Sequence, residues 1–173
     1  MNDGYSLVGL LLYSCYKTCF LKFAPSQRLT YAGGKNVVRS ALEQNFKVVI
    51  ATRKVSADFD LKDQNLKVVE ISKRDNSWIE NLQGIDVFIS CLASRSGEPK
   101  DARSVDFKLN KLLLEKAKRI KCSQFILLSA ICVQKPRLAF QFEKLAFEKE
   151  LKKSGLNFSI IRPTAYFKSL SGQ

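Results

Sequence analysis

The strongest constraint on this chain is its alternation of short apolar runs with amphipathic stretches. Residues 46–51 (FKVVIA) are almost unbroken in apolar character, the pattern of a strand covered on both faces of a parallel sheet. Residues 66–71 (LKVVEI), 86–93 (DVFISCLA), 123–130 (SQFILLSA) and 157–162 (NFSIIR) predict four more strands, the last closed by Pro163. Helical spacing fills the gaps. Residues 35–45 carry Val37, Val38, Ala41 and Leu42 on one face, and residues 76–82 form a short helix that Asn76 or Ser77 would cap. Val105, Leu109, Leu112, Leu113, Ala117 and Ile120 mark a long helix. A last helix presents Leu138, Phe142 and Leu145 and stops at Gly155. Strand and helix recur every ~20 to 35 residues, so the expected fold is α/β, a doubly wound parallel sheet. Ligands of such a sheet gather beyond the carboxyl ends of its strands. That edge should hold Gly33 and Gly34, Arg53, residues 91–94, residues 129–133 and residues 163–167.

Composition removes several chemistries. The chain has no histidine, so histidine-based triads and histidine-ligated metals are excluded. Its five cysteines (Cys15, Cys19, Cys91, Cys122, Cys132) are odd in number and lack CxxC spacing, which argues against a disulfide scaffold and a zinc site. A reducing compartment fits best. Residues 1–99 carry 13 basic and 10 acidic groups, and residues 100–173 carry 16 and 6. The basic residues are scattered along helix-like segments without interleaved aromatic platforms, so nucleic acid is not the expected partner. A solvated face, an acidic partner or a phosphate-bearing cofactor suits the charge better. The apolar run at residues 7–13 is far shorter than the ~20 residues of a membrane span. No transmembrane span is expected, which leaves room only for peripheral membrane contact.

Four segments carry candidate chemistry. Thr30-Tyr31-Ala32-Gly33-Gly34-Lys35 precedes the first predicted helix, where a dinucleotide fold places the glycine turn that lets backbone approach a pyrophosphate; an ordinary turn would look the same. Arg53-Lys54 follows the FKVVIA strand, whose end reads the adenosine ribose. A carboxylate there suits the 2′-hydroxyl of NAD, whereas an arginine suits the 2′-phosphate of NADP. Phe140 and Lys144 occupy the spacing of the Tyr-x-x-x-Lys pair of many short-chain reductases. Phe140 cannot donate a proton, so carbonyl reduction by the usual route is disfavoured. Ser129 closes a predicted strand, where its hydroxyl can face a nicotinamide. Cys132 has no histidine to activate it and is read as lining a wall.

Four stretches, residues 86–97 (DVFISCLASRSG), 127–136 (LLSAICVQKP), 140–148 (FQFEKLAFE) and 161–170 (IRPTAYFKSL), occur in an order that closely resembles one family, the divinyl chlorophyllide a 8-vinyl reductases. These are atypical short-chain dehydrogenase/reductases with an NAD(P)-binding Rossmann fold. The resemblance covers roughly residues 33–173. It implies hydride transfer from NADPH to the 8-vinyl group of divinyl chlorophyllide or protochlorophyllide, giving an ethyl group, in a plastid. A vinyl conjugated to the macrocycle needs no tyrosine on a carbonyl oxygen, which agrees with Phe140. The resemblance also implies that Arg53 holds the 2′-phosphate and that Cys91, Leu92 and Ala93 pass along the cofactor. Lys144 would bind the nicotinamide ribose and be the catalytic residue, and Pro163 and Thr164 would border the nicotinamide.

Two departures from that family stand out. Aligned back from Gly34, its GATGYIG-like loop falls on residues 28–34, where Thr30 and Gly34 match but Arg28 and Tyr31 replace glycines. No first strand is recognisable before that loop, so residues 1–29 are expected to stand apart from a domain spanning 30–173. The chain ends soon after the fifth predicted strand, where the family continues, and it reads as C-terminally truncated. Two rival expectations remain: another NADP-binding atypical reductase, such as an isoflavone-reductase-like enzyme, and a non-catalytic, decayed Rossmann domain.

Overall fold

The computed structural model describes residues 18–22, 28–52, 62–71 and 75–163, with backbone alone for 18–22 and 28–35. Its elements are β1 (Thr18–Lys22), α1 (Arg28–Glu43), β2 (Lys47–Thr52), β3 (Leu66–Glu70), a 3-10 turn (Ser77–Asn81) and β4 (Val87–Ser90). A helical rod follows in three parts: α2 (Pro99–Ala102), a π-helical stretch (Arg103–Leu109) and α3 (Asn110–Arg119). Then come β5 (Gln124–Leu128), α4 (Ala139–Lys152) and β6 (Phe158–Ile161).

The six strands among the described residues run parallel in the order β3-β2-β1-β4-β5-β6. The order reverses between β1 and β4, and that switch point is where a doubly wound sheet binds its ligand. The expected α/β architecture is therefore present, with one strand more than predicted. The sequence shows no recognisable first strand, yet Thr18–Lys22 lies at the sheet centre, paired with β2 and β4. The sheet thus reaches back to Thr18, and neither Thr18–Lys22 nor Arg28 and Leu29 at the start of α1 stand apart from the domain. TCFLK has a lysine and a threonine at its ends and lacks the continuous apolar run that made the other strands legible.

Alternation along the strands divides the core in two. Val48, Ile50, Val87, Ile89 and Ile126 face one way and pack with Val38 and Ala41 of α1. Val49, Ala51, Phe88, Phe125 and Leu127 face the other way, onto Leu113, Leu114 and Ala117 of α3 and Phe147 and Leu151 of α4. Phe88 and Phe125 are direct partners across β4 and β5, and their rings lie parallel with centroids 6.1 Å apart. Phe147 meets Phe125 at 5.9 Å with its ring tilted. Burying three such rings supplies much of the cohesion of this layer.

Local signals set most of the helix ends. Asn45 takes a left-handed φ of 60° just past α1, a conformation asparagine tolerates, and Phe46 N–H then reaches back to the Ala41 carbonyl at 3.0 Å. Gly155, with φ 77°, turns the chain after α4 as expected. Neither proposed cap of the 3-10 turn acts through its side chain at the Asn76 cap position. Asp75 organises that turn instead, accepting the Ser77 N–H at 3.0 Å and the Ser77 hydroxyl at 2.7 Å.

The inner face of α4 differs from the expectation. Leu138 and Phe142 are each 56% exposed. Gln141, Lys144, Phe147, Glu148 and Leu151 are the buried ones. Polar groups win the inner positions because the upper part of α4 faces the carbonyl ends of β4 and β5, where donors and a paired carboxylate are needed.

Candidate functional site

The carboxyl ends of β4, β5 and β6 carry an unusual density of buried polar side chains. Ser90, Asp106, Asn110, Ser129, Gln141, Lys144 and Glu148 are all buried. Each must find partners within the protein, because an unpaired polar group there costs about 1–3 kcal/mol.

Lys144 is at the centre. Its side chain is 4% exposed and its ammonium has three partners. It donates to the Leu92 carbonyl at 2.8 Å and the Leu128 carbonyl at 3.4 Å. It also stands 3.1 Å from Asp106 Oδ1, an oxygen with no other hydrogen-bond partner among the described residues. The other carboxylate oxygen of Asp106 accepts the Ser94 N–H at 3.1 Å. Asn110 extends the network by donating to the Asp106 carbonyl at 2.9 Å and accepting the Ser90 hydroxyl at 2.5 Å. Removing one member of such a pair strands a buried charge, at about 3–5 kcal/mol.

Asp106 lies in the π-helical stretch and meets Lys144 from there, and π turns recur at functional sites. Asp106 and Asn110 are both fully buried. The stripe of Leu113 and Ala117, continued back by one and two turns, lands on them. That register is a usable sequence signal for two polar residues on a core face.

One turn beyond Lys144, Glu148 forms a second cluster. It accepts the Ser129 hydroxyl at 2.6 Å and the Arg162 Nε–H at 3.1 Å, and the Arg162 Nη2 also pairs with its second oxygen. Burial by itself would raise the Glu148 carboxyl, but Arg162 and the Ser129 hydroxyl outweigh it and hold the group below its ordinary value. Glu148 also raises Arg162. Both residues went unnoticed in the sequence, although Glu148 lies four after Lys144 on one helical face. Gln141 completes the polar face of α4. Its Oε1 accepts the Arg137 and Leu138 N–H groups at 2.9 and 3.0 Å, reaching back to the helix start as the third residue of a capping box does.

The expected site residues divide into groups. Leu92, Ala93, Ser129, Lys144 and Pro163 come together at this edge. Cys91 joins them with its side chain buried, and burial pushes its thiol up to about 12. Ser129 commits its proton to Glu148, and Lys144 has its three partners inside the protein. Cys132 is exposed with φ 62° in the turn after β5. Arg53 and Thr164 lie outside the described residues; β2 ends at Thr52, directly before Arg53. Thr30, Gly33 and Gly34 need correction. They do not form a turn before a helix but lie inside α1, which starts at Arg28. Tyr31 is likewise helical and does not occupy a phosphate turn. The link from β1 to α1 falls instead on Phe23-Ala24-Pro25-Ser26-Gln27, a sequence without glycine.

A dinucleotide fits this frame at one end better than at the other. The switch point, the carbonyl-rich tips of β4 and β5 and the absence of a carboxylate at residues 52–54 all suit it. The β1–α1 link offers the pyrophosphate no glycine, so close backbone approach is less favoured there. Among the described residues, no helix is long and apolar enough to cross a membrane.

Comparison with known proteins agrees with this frame. An NAD(P)H-binding family model matches residues 32–170. The chloroplastic divinyl chlorophyllide a 8-vinyl-reductase of Arabidopsis thaliana is 41% identical over 160 residues, which cover 81% of this chain and 38% of that protein. The photosystem II assembly factor Ycf39 of Cyanophora paradoxa is 32% identical over 81% of this chain and 44% of its own length. The chain thus spans less than half the length of these relatives. In fold it is similar to the UDP-glucuronic acid 4-epimerase of Bacillus cereus in complex with NAD, with a TM-score of 0.70 at 15% identity over 86% of this chain and 56% of that one. The chain belongs to the NAD(P)H-binding family and is homologous, over part of their length, to the divinyl chlorophyllide a 8-vinyl-reductases.

Proposed function

We infer that this chain is the nucleotide-binding part of a plastid reductase that uses NADPH to convert the 8-vinyl group of divinyl chlorophyllide or protochlorophyllide to ethyl. The observation that carries the reading is the 41% identity to a reductase of that name, laid on a parallel sheet whose order reverses between β1 and β4. NADPH supplies the hydride when bound. Arg53 takes the 2′-phosphate, Thr30 in the first turn of α1 lies near the phosphates, and Cys91, Leu92 and Ala93 flank the cofactor with their backbone. Pro163 and Thr164 border the nicotinamide. Lys144 and Ser129 shape that end from beneath, and Phe140, half-buried at the start of α4, leaves no tyrosine to protonate a carbonyl. Ile131 in the turn after β5 and Leu138 and Phe142 around the start of α4 are exposed apolar side chains, which suits a large apolar pigment better than a sugar nucleotide.

The test has two parts. Titration with NADPH and NADH, read by nicotinamide fluorescence, should show saturable binding that favours NADPH. Incubation of the chain with NADPH and divinyl protochlorophyllide should move the Soret band to the monovinyl position; saturable binding without that change would leave a nucleotide-binding protein that is not this reductase.

A second reading is favoured by one observation, the glycine-free link between β1 and α1. In it the chain is a non-catalytic Rossmann domain that binds a protein partner, and the likeness to a photosystem II assembly factor supports it. Absence of NADPH binding in the titration would select this reading.

A further inference from the structure

We propose that Asp106 is a positioning residue that sets the backbone of residues 92–94 where the cofactor crosses β4. The proposal rests on the reductase reading for what that backbone meets. Its physical content, a clamp on the backbone, rests on geometry alone.

Asp106 closes a ring of contacts around Ala93. One carboxylate oxygen receives the Ser94 N–H at 3.1 Å. The other pairs with the Lys144 ammonium at 3.1 Å. That ammonium donates to the Leu92 carbonyl at 2.8 Å. The peptide groups on both sides of Ala93 are thereby fixed to the π-helical stretch and to α4, which are not neighbours in sequence. Ala93 is half-buried between them, just beyond the four-residue strand β4. The Lys144 contact to the Leu128 carbonyl at 3.4 Å ties the same ring to the end of β5. Nothing in bulk packing requires a fully buried carboxylate here. Replacing both members of a buried pair by apolar residues of similar volume is often neutral or stabilising, because the desolvation cost of the pair is removed. What the pair supplies is a defined place for two backbone groups at the switch point, and hydrogen bonds that involve charged groups are the strong ones. Lys144 then acts through the clamp and has no bond to spare for a ribose hydroxyl unless it gives up Leu128.

The experiment compares the wild-type chain with Asp106→Ala, Lys144→Met and the double variant. Amide exchange of residues 92–94 and melting temperature are measured without cofactor, and exchange is then repeated with NADPH. Each single variant leaves one buried charge unpaired and should melt lower. The double variant removes both charges and should recover much of the melting temperature. The proposal expects Ser94 amide exchange to stay faster than wild type by about tenfold or more in the double variant, because the backbone has lost its anchors. If exchange returns to the wild-type rate together with the melting temperature, the pair serves stability only and the proposal is overturned. A single variant that does not fold leaves the double variant to decide. The NADPH arm tests the other reading separately. Wild-type chain that binds NADPH without added protection at residues 92–94 contradicts the reductase placement of the cofactor and leaves the clamp intact.

Discussion

Ser129 and Glu148 share a hydrogen bond of 2.6 Å between the end of β5 and the middle of α4, and the same carboxylate clasps Arg162 just past β6. Three elements are fastened by one buried anion. Glu148→Gln should therefore lower stability by about 2 kcal/mol, less than for a fully enclosed pair because Arg162 keeps 29% of its side chain exposed. The pH dependence has a definite sign. Glu148 is held below its ordinary value of 4.5 in the folded state, so its contribution is complete above about pH 5 and is lost as pH falls below 4.5. Melting curves of the two proteins should differ at pH 7 and converge toward pH 3. A constant gap across that range would show that the Glu148 carboxyl titrates alike in the folded and unfolded chain, with no lowering by Arg162 and Ser129.

Cysteine reactivity should follow burial. Cys91 is held near 12 by burial, and burial raises Cys122 to about 11, whereas Cys132 is exposed. Iodoacetamide at pH 8 should alkylate Cys132 in the native chain and reach Cys91 and Cys122 only in denaturant. Peptide mass spectrometry reads the three sites separately, and early modification of Cys91 would show that the β4 exit opens.

Arg53→Ala should weaken NADPH binding by about tenfold to a hundredfold while changing NADH binding little, since a charge-assisted contact to phosphate is worth roughly 1.5–3 kcal/mol. Paired titrations measure the ratio. An equal loss for both nucleotides would place Arg53 away from the 2′-phosphate.

Tyr31→Gly should not improve NADPH binding. Tyr31 lies within α1, so glycine there removes no obstacle from the β1–α1 link. It should instead cost roughly 0.5 kcal/mol of stability through helix propensity. Urea unfolding and an NADPH titration on the same variant test both halves, and a gain in affinity would mean that the phosphates meet Tyr31 after all.

Hydrophobic patterning by itself determined five of the six strands, the helices between them and the parallel doubly wound class. A strand buried on both faces, such as VVIA in β2, can be satisfied in few other ways. Motif likeness along the last three strands carried the family. Local sequence could not determine β1, because TCFLK is made a strand by its two neighbours, β2 and β4, and not by its own apolar pattern. Nor could it place the phosphate turn, which alignment put at residues 28–34 and α1 absorbed. Tertiary structure alone decided which polar groups are buried together. Asp106 and Lys144 are 38 residues apart and Ser129 and Arg162 are 33 apart. No single segment says that Asp106 meets Lys144 or that Ser129 and Arg162 share Glu148; those contacts form only when the sheet brings the ends of β4, β5 and β6 under one helix, where water is excluded and a charge must find its opposite.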